Sequence, residues 1–213
     1  SAVGMLVAGD ELVLQGGTYT LNGYFEVAAS GADGMPIVIR AKDGETPVIV
    51  QEAAQNIINV LGSYVTLRGL ELTGGSRGIR IQNASYVTVE DCHIHDTPAN
   101  AIAANDAGGD YAGIVIRRNQ IRNTGGNGEG MYLGCNDNAC QFHDGIIEGN
   151  WVHHTNGPTV DQGDGIEIKE GSYGNVVRDN VVHDTGYPCI ITYSTVGNGP
   201  PNIVERNVMW ACG

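Results

Sequence analysis

From Val65 onward the apolar positions alternate with polar ones in short β-branched runs, and the runs are separated by polar corners. Six stretches superimpose: Val65-Thr-Leu-Arg-Gly-Leu-Glu-Leu72, Val87-Thr-Val-Glu-Asp-Cys-His-Ile94, Ile114-Val-Ile-Arg-Arg-Asn-Gln-Ile121, Gly145-Ile-Ile-Glu-Gly-Asn-Trp-Val152, Asn175-Val-Val-Arg-Asp-Asn-Val-Val182 and Asn202-Ile-Val-Glu-Arg-Asn-Val-Met209. The apolar residue closing each one falls at 72, 94, 121, 152, 182 and 209, in steps of 22, 27, 31, 30 and 27 residues. A constant minimum with longer insertions predicts a fixed coil carrying loops of variable length. The period of two reads as short strands, and no ten-residue stretch carries a helical period. A second strand precedes each unit: Gly78-Ile-Arg-Ile, Ala101-Ile-Ala-Ala, Gly130-Met-Tyr-Leu, Gly165-Ile-Glu-Ile and Cys189-Ile-Ile-Thr. Gly, Asn, Asp and Thr punctuate the corners, where sharp turns call for left-handed backbone.

Strands of successive coils then stack in parallel about 4.8 Å apart, so that like positions form ladders along the axis. The predicted fold is all-β, a single-stranded right-handed parallel β-helix of about seven coils. It forms one domain over residues 1–213, with 1–10 the remnant of an N-terminal cap, 11–51 the first coils and 52–213 the regular coils. A leucine-rich repeat is excluded, because the units lack its leucine spacing and leave no room for helices. Trp210-Ala-Cys-Gly213 stops one strand into a coil, which predicts a fragment or an end covered by another chain through strand stacking.

Two columns follow from the alignment. Asn119, Asn150, Asn180 and Asn207 share one position, with Leu70 and Cys92 in earlier coils. Asparagine there can satisfy corner backbone groups and bond the next amide, an internal ladder; the other reading is a row of sugar-binding amides. His95, Arg122, His153 and His183 share another, each followed by Asp, Asn or His and then Thr. Histidine offers acid chemistry or metal ligation, whereas Asp96, Asn123, Asp184 and the threonines suit turn capping. Trp151, beside this column, offers a sugar-stacking face or covers a loop.

Composition narrows the partners. The 213 residues carry 24 acidic and 11 basic side chains, a net charge of −13, with only two lysines, Lys42 and Lys169. This excludes the basic footprint of a nucleic-acid protein, and no run of apolar residues is long enough for a membrane span. At 41% hydrophobic, with 32 glycines, the chain is a folded one whose glycines serve corners. Five cysteines divide into a local Cys135/Cys140 pair around a polar loop, a candidate Cys189/Cys212 pair, and Cys92 at an inward position as a buried thiol. Such pairs point to an oxidising compartment, hence a secreted or cell-surface protein.

Stacking also gathers candidate chemistry. Glu129 and Asp164 each precede the glycine that opens a second strand, so one lies above the other; Tyr132 lies over Glu167, Gly134 over Lys169, and Tyr193 over Lys169 on the next coil. Carboxylates one strand spacing apart repel, which favours a bound cation or a raised pKa. Hard oxygen ligands in an acidic setting suit Ca²⁺ better than a transition metal. Asn136-Asp137-Asn138 is too short for a Ca²⁺ loop of its own.

The opening Ala8-Gly-Asp-Glu-Leu-Val-Leu-Gln-Gly-Gly-Thr-Tyr19, followed by Gly34-Met-Pro-Ile-Val-Ile-Arg-Ala-Lys-Asp-Gly-Glu-Thr-Pro-Val-Ile49, resembles the first coils of pectate-lyase-like β-helix proteins, in particular the chondroitinase B and alginate lyase group and the family 9 pectate lyases. That resemblance implies a polysaccharide lyase using Ca²⁺ on an acidic polysaccharide. By it Lys169 is the general base with Glu167 beside it, and Glu129, Asp164 and Glu167 hold the metal; Tyr132, Arg80, His153 and Tyr193 are the candidate substrate contacts. Asp164-Gly-Ile-Glu-Ile-Lys169 resembles the acidic-Gly-aromatic-x-x-Lys stretch of family 9 pectate lyases, but their following acidic cluster has no counterpart in His183-Asp-Thr-Gly-Tyr-Pro-Cys-Ile190. The arginine of the chondroitinase B group is missing from Ile190-Ile-Thr-Tyr-Ser194. Two other readings remain: a non-catalytic binding or assembly module, and a glycoside hydrolase using Glu129 and Asp164 as paired carboxylates.

Overall fold

The computed structural model describes residues 2–213. The chain winds as a parallel β-helix with three sheets, each strand pairing with its counterpart one coil away. Sheet one runs from Glu11–Leu14 through Val65–Arg68, Thr88–Glu90, Val115–Arg117, Ile146–Glu148 and Val176–Arg178 to Ile203–Glu205. Sheet two runs from Gly17–Leu21 through Glu71–Gly74, His93–Thr97, Gln120–Thr124, Trp151–Thr155 and Val181–Thr185 to Val208–Trp210. Sheet three runs from Glu26–Val27 through Ile79–Ile81, Ile102–Ala104, Met131–Leu133 and Ile166–Ile168 to Ile190–Thr192. With Ile37–Ala41, Pro47–Gln51 and Ile58–Val60 completing them in turn, the sheets hold eight, eight and seven strands, the coil of about seven turns that the repeat predicts. Ser1 of the expected cap remnant lies outside the described residues, and Ala2–Met5 form a 3-10 turn with Val3 buried.

Each repeated unit proves to be two strands rather than one. Its middle bends where a residue enters the left-handed region: Gly69, Asp91, Arg118, Gly149, Asp179 and Arg206 all have φ between 54° and 70°. The asparagine column sits just after this bend, with Asn119, Asn150 and Asn180 buried and Asn207 half-buried, which resolves its two readings. Asn150 Oδ1 accepts from the Asn119 backbone N–H and amide, both at 3.0 Å, while Asn150 Nδ2 donates to Ile116 O and Asn180 Oδ1, both at 2.9 Å. The pattern repeats at Asn119, Asn180 and Asn207. A second ladder, Asn175 and Asn202, joins sheet three to sheet one in the same way. Its two asparagines are the first residues of the last two aligned units.

Inside, alternate residues of all three sheets, such as Leu67, Val89, Ile116, Ile147 and Val177 of sheet one, form one buried apolar column. Cys92 is buried and free, and burial pushes its thiol up to about 12. Cys135 and Cys140 are disulfide-bonded, as are Cys189 and Cys212. No helix among the described residues is long and apolar enough to cross a membrane.

Candidate functional site

The candidate chemistry lies on the outer face of sheet three, where the register stacks Arg80, Ala103, Tyr132 and Glu167 in one column. Beside the start of these strands runs a second column, Arg77, Asn100, Glu129 and Asp164. Gly130 and Gly165 let the columns close up: a Cβ on Gly130 would lie 2.6 Å from Gly165 O, and one on Gly165 would lie 2.4 Å from Cys189 O. Glycine at these two positions therefore holds the carboxylates against the sheet.

Glu129, Asp164 and Glu167 offer oxygens that all lie within 4.8 Å of one another, and all three side chains are buried. Glu129 is bonded by the Asn100 amide, which in turn accepts from Arg77 Nε at 3.0 Å. Sequence reasoning missed Arg77 and Asn100; they occupy the positions before Gly78 and Ala101, the same offset that identified Glu129 and Asp164. Lys169 Nζ donates to Glu167 Oε1 at 2.6 Å and lies 4.8 Å from the Tyr132 ring centre and 4.9 Å from that of Tyr193. Asn136, Asp137 and Glu170 join Lys169 and Tyr193 in lining an open cavity, with the 135–140 disulfide loop as one wall.

Electrostatics set the protonation states. Burial, reinforced by the charges of Glu167 and Asp164, pushes Glu129 up to about 7. Burial and Glu167 push Asp164 up to about 6. Burial works against the charged form of Lys169, but its hydrogen bond and ion pair with Glu167 outweigh it, so its pKa is raised. With no other cation Lys169 is thus an ammonium, a hydrogen-bond donor and not a base.

Glu129 Oε1 and Glu167 Oε2 are buried with no hydrogen-bond partner. An orphaned carboxylate oxygen in a low-dielectric site is costly. Calcium–oxygen bonds of about 2.3–2.6 Å let oxygens at these separations share one ion, and the donor set is oxygen only. The cluster therefore fits a hard divalent cation.

The structure does not bring every candidate here. Arg80 is in the right column but is tied to Asp106 in an ion pair. His153 lies on sheet two, 6% exposed, with its ring stacked between Trp151 at 4.4 Å and His183 at 5.2 Å. Its Nδ1 meets His154 Nδ1 at 2.7 Å and its Nε2 meets the Gln120 amide at 3.1 Å, so both ring nitrogens are engaged away from the carboxylates. The histidine column borders a corner at which Asp96, Asn123, His154 and Asp184 have left-handed backbone and Thr155 and Thr185 bond carbonyls at 2.7 and 2.6 Å.

Comparison with known proteins finds similarity to β-helix lyases. It is 30% identical over 184 residues to pectate lyase PEL9 of Emericella nidulans, covering 83% of this chain and 40% of that one. The chain thus spans two fifths of the length of this curated relative. The crystal structure of alginate lyase from Paenibacillus sp. str. FPU-7 superimposes with a TM-score of 0.78 at 26% identity, over 98% of this chain and 72% of that one. Pectate lyase Pel9A shares the fold, with a TM-score of 0.66 at 18% identity, over 90% of this chain and 61% of that one. The chain shares the right-handed β-helix fold of these lyases. Residues 1–196 match the model described as the Pel9A-like right-handed β-helix region, and the chain belongs to that family.

Proposed function

We propose that this chain is the catalytic β-helix of a secreted or cell-surface lyase that cleaves an acidic, uronate-containing polysaccharide by Ca²⁺-assisted β-elimination. The observation that carries the reading is the buried Glu129, Asp164 and Glu167 cluster, with two orphaned oxygens, hydrogen-bonded to Lys169 on an open face. The relatives are named for pectate and alginate, both polyuronates, and the two disulfides suit an oxidising compartment.

Glu129, Asp164 and Glu167 would hold the ion. Ca²⁺ bound there would neutralise the carboxylates, attract the uronate carboxylate and acidify its C5–H. Lys169 then acts at Nζ: once Glu167 no longer holds its proton, the amine accepts the C5 proton. The C5–H electron pair becomes the C4=C5 bond, the C4–O4 bond breaks, and the departing oxygen is protonated from solvent. Tyr132 and Tyr193 flank Nζ and offer ring faces to the sugar. Arg77, through Asn100, keeps Glu129 oriented.

The test is absorbance of the unsaturated product when the protein meets polygalacturonate or alginate with Ca²⁺. The expected result is Ca²⁺-dependent product that Lys169→Ala abolishes while fold, read by circular dichroism, persists. No product on any polyuronate would overturn the lyase reading. Reducing ends without unsaturation would instead support the Glu129 and Asp164 hydrolase pair, and glycan binding without cleavage the non-catalytic module.

A further inference from the structure

Sheet two carries a second group of ligating side chains, on the strands Glu71–Gly74 and His93–Thr97, separate from the carboxylate cluster of sheet three. His93 and His95 are two residues apart on one strand, so both face outward, and their ring centres lie 4.3 Å apart. Glu71 stands opposite His93 on the preceding coil, and one donor atom from each of the three residues lies within 4.8 Å of the others.

The hydrogen bonds around His95 decide which atoms are available. Nδ1 lies 2.6 Å from Asp96 Oδ2, and since a carboxylate only accepts, Nδ1 carries the proton. Nε2 then presents its lone pair to Glu71 Oε1 at 3.2 Å, a contact between two acceptors. Only a second proton on the ring or a cation between the two atoms makes it favourable. Tetrahedral zinc, with ligand bonds of about 2.0–2.2 Å, spaces its ligand atoms by roughly 3.4 Å, close to this separation. Asp96, held in place by the Asn123 amide at 2.9 Å, is the carboxylate behind a ligating histidine that such sites use to orient the ring.

Two other histidines show what is special here. His143 also lies between two carboxylates, Asp110 and Asp144, each at 2.8 Å, but joins no cluster of three ligands among the described residues. His183 stands in a cluster with His154 and Asp184, but its Nε2 already accepts from Trp151 Nε1 at 2.9 Å while Nδ1 donates to Asp184. At His95 alone of these three does a free lone pair meet both a carboxylate and a second imidazole. His93 Nε2 is held by Arg122 Nε at 3.3 Å, and the same guanidinium lies 3.9 Å from Asp96, to which it can turn.

We propose that Glu71, His93 and His95 form a binding site for a borderline divalent metal, Zn²⁺ being the best fit, that clamps two adjacent coils of sheet two. Two imidazoles and one carboxylate leave a fourth position for water. The site is independent of the polysaccharide reaction and of Ca²⁺.

Calorimetric titration with Zn²⁺ at neutral pH, in excess Ca²⁺ so that the sheet-three carboxylates are engaged, tests it. One tight equivalent is expected in the native chain, and Co²⁺ in its place should give the visible bands of a low-symmetry nitrogen-ligated ion. His95→Gln and His93→Ala should weaken Zn²⁺ by roughly 100-fold or more, and Asp96→Asn by about 10–100-fold. Arg122→Ala should tighten it by removing a competing donor and a positive charge, whereas His143→Ala and His154→Ala should leave it unchanged. No tight equivalent in the native chain, or one retained by the His93→Ala/His95→Gln double variant, would overturn the proposal. The Co²⁺ spectrum of the native chain decides the matter even where a variant fails to fold.

Discussion

At the scale of single residues the fold rests on side chains that replace backbone partners. Each ladder asparagine accepts from the N–H of its counterpart one coil earlier and donates to a carbonyl that the bend leaves free. Asn150→Ala would strand the buried Asn119 N–H and Ile116 O and leave a gap between two neighbours. Unsatisfied buried groups cost about 1–3 kcal/mol each, so we expect about 3 kcal/mol of destabilisation, read as a lower urea midpoint with unchanged slope. The same position is Leu70 and Cys92 in earlier coils, both buried, which shows that the ladder can begin on an apolar residue. Left-handed backbone at Asp91, Arg118 and Asp179 was hidden in the sequence, because those side chains read equally well as surface charges. They are both: Arg118 bonds Asp91 with two hydrogen bonds of 2.8 Å, and Arg206 bonds Asp179 with two of 2.9 Å.

At the scale of elements, strand position was legible where side chains alternate, and the loops were not. The period-two pattern located the strands of sheet three and hence the offset of Glu129 over Asp164. It merged sheets one and two into a single unit, because the bend shifts the apolar alternation by only one residue, as from Leu67 to Leu70. The Cys135/Cys140 loop follows Met131–Leu133 and is fastened by the Tyr132 hydroxyl donating to Asn136 Oδ1 at 3.2 Å and by Asn198 Nδ2 donating to Asn138 Oδ1 at 2.9 Å. It supplies Asn136 and Asp137 to the cavity beside Lys169 but no group that moves a proton. Cys135→Ser with Cys140→Ser should therefore raise KM for a polyuronate several-fold with kcat little changed. So short a loop contributes at most about 2 kcal/mol through its crosslink. Equal losses in kcat and kcat/KM would place the loop in the reaction itself.

At the scale of the whole molecule the acidic balance resolves into two populations of carboxylates with opposite effects on stability. Hydrogen bonds from arginine hold Asp91 and Asp179 below the ordinary range, so they add stability above about pH 4 that is lost on acidification. Glu129 and Asp164 are held at about 7 and 6, so the folded chain binds protons there that the unfolded chain has released, and their contribution to stability falls as pH rises towards 7. His153, pushed down to about 4 chiefly by burial, opposes this trend between about pH 4 and 6.5, so the simple pH profile of stability mixes the two. The difference between Ca²⁺ and chelator separates them, since a cation at the proposed site would compete only with the sheet-three protons. The rise in melting temperature on adding Ca²⁺ should be near zero at pH 5 and grow through pH 7, and Glu129→Gln should flatten that growth. A Ca²⁺ effect independent of pH would place the ion elsewhere. The sequence by itself determined the coil, its repeat, the ladders and the stacking of Glu129, Tyr132, Asp164, Glu167 and Lys169, because in a parallel solenoid like positions must superimpose. Only the tertiary structure decided which stacked groups are buried, which way His153 and Arg80 are tied, and where two carboxylate oxygens lack partners. Those outcomes depend on contacts between coils at different offsets, Arg77 to Asn100 to Glu129 or His95 to Glu71, which no periodicity records.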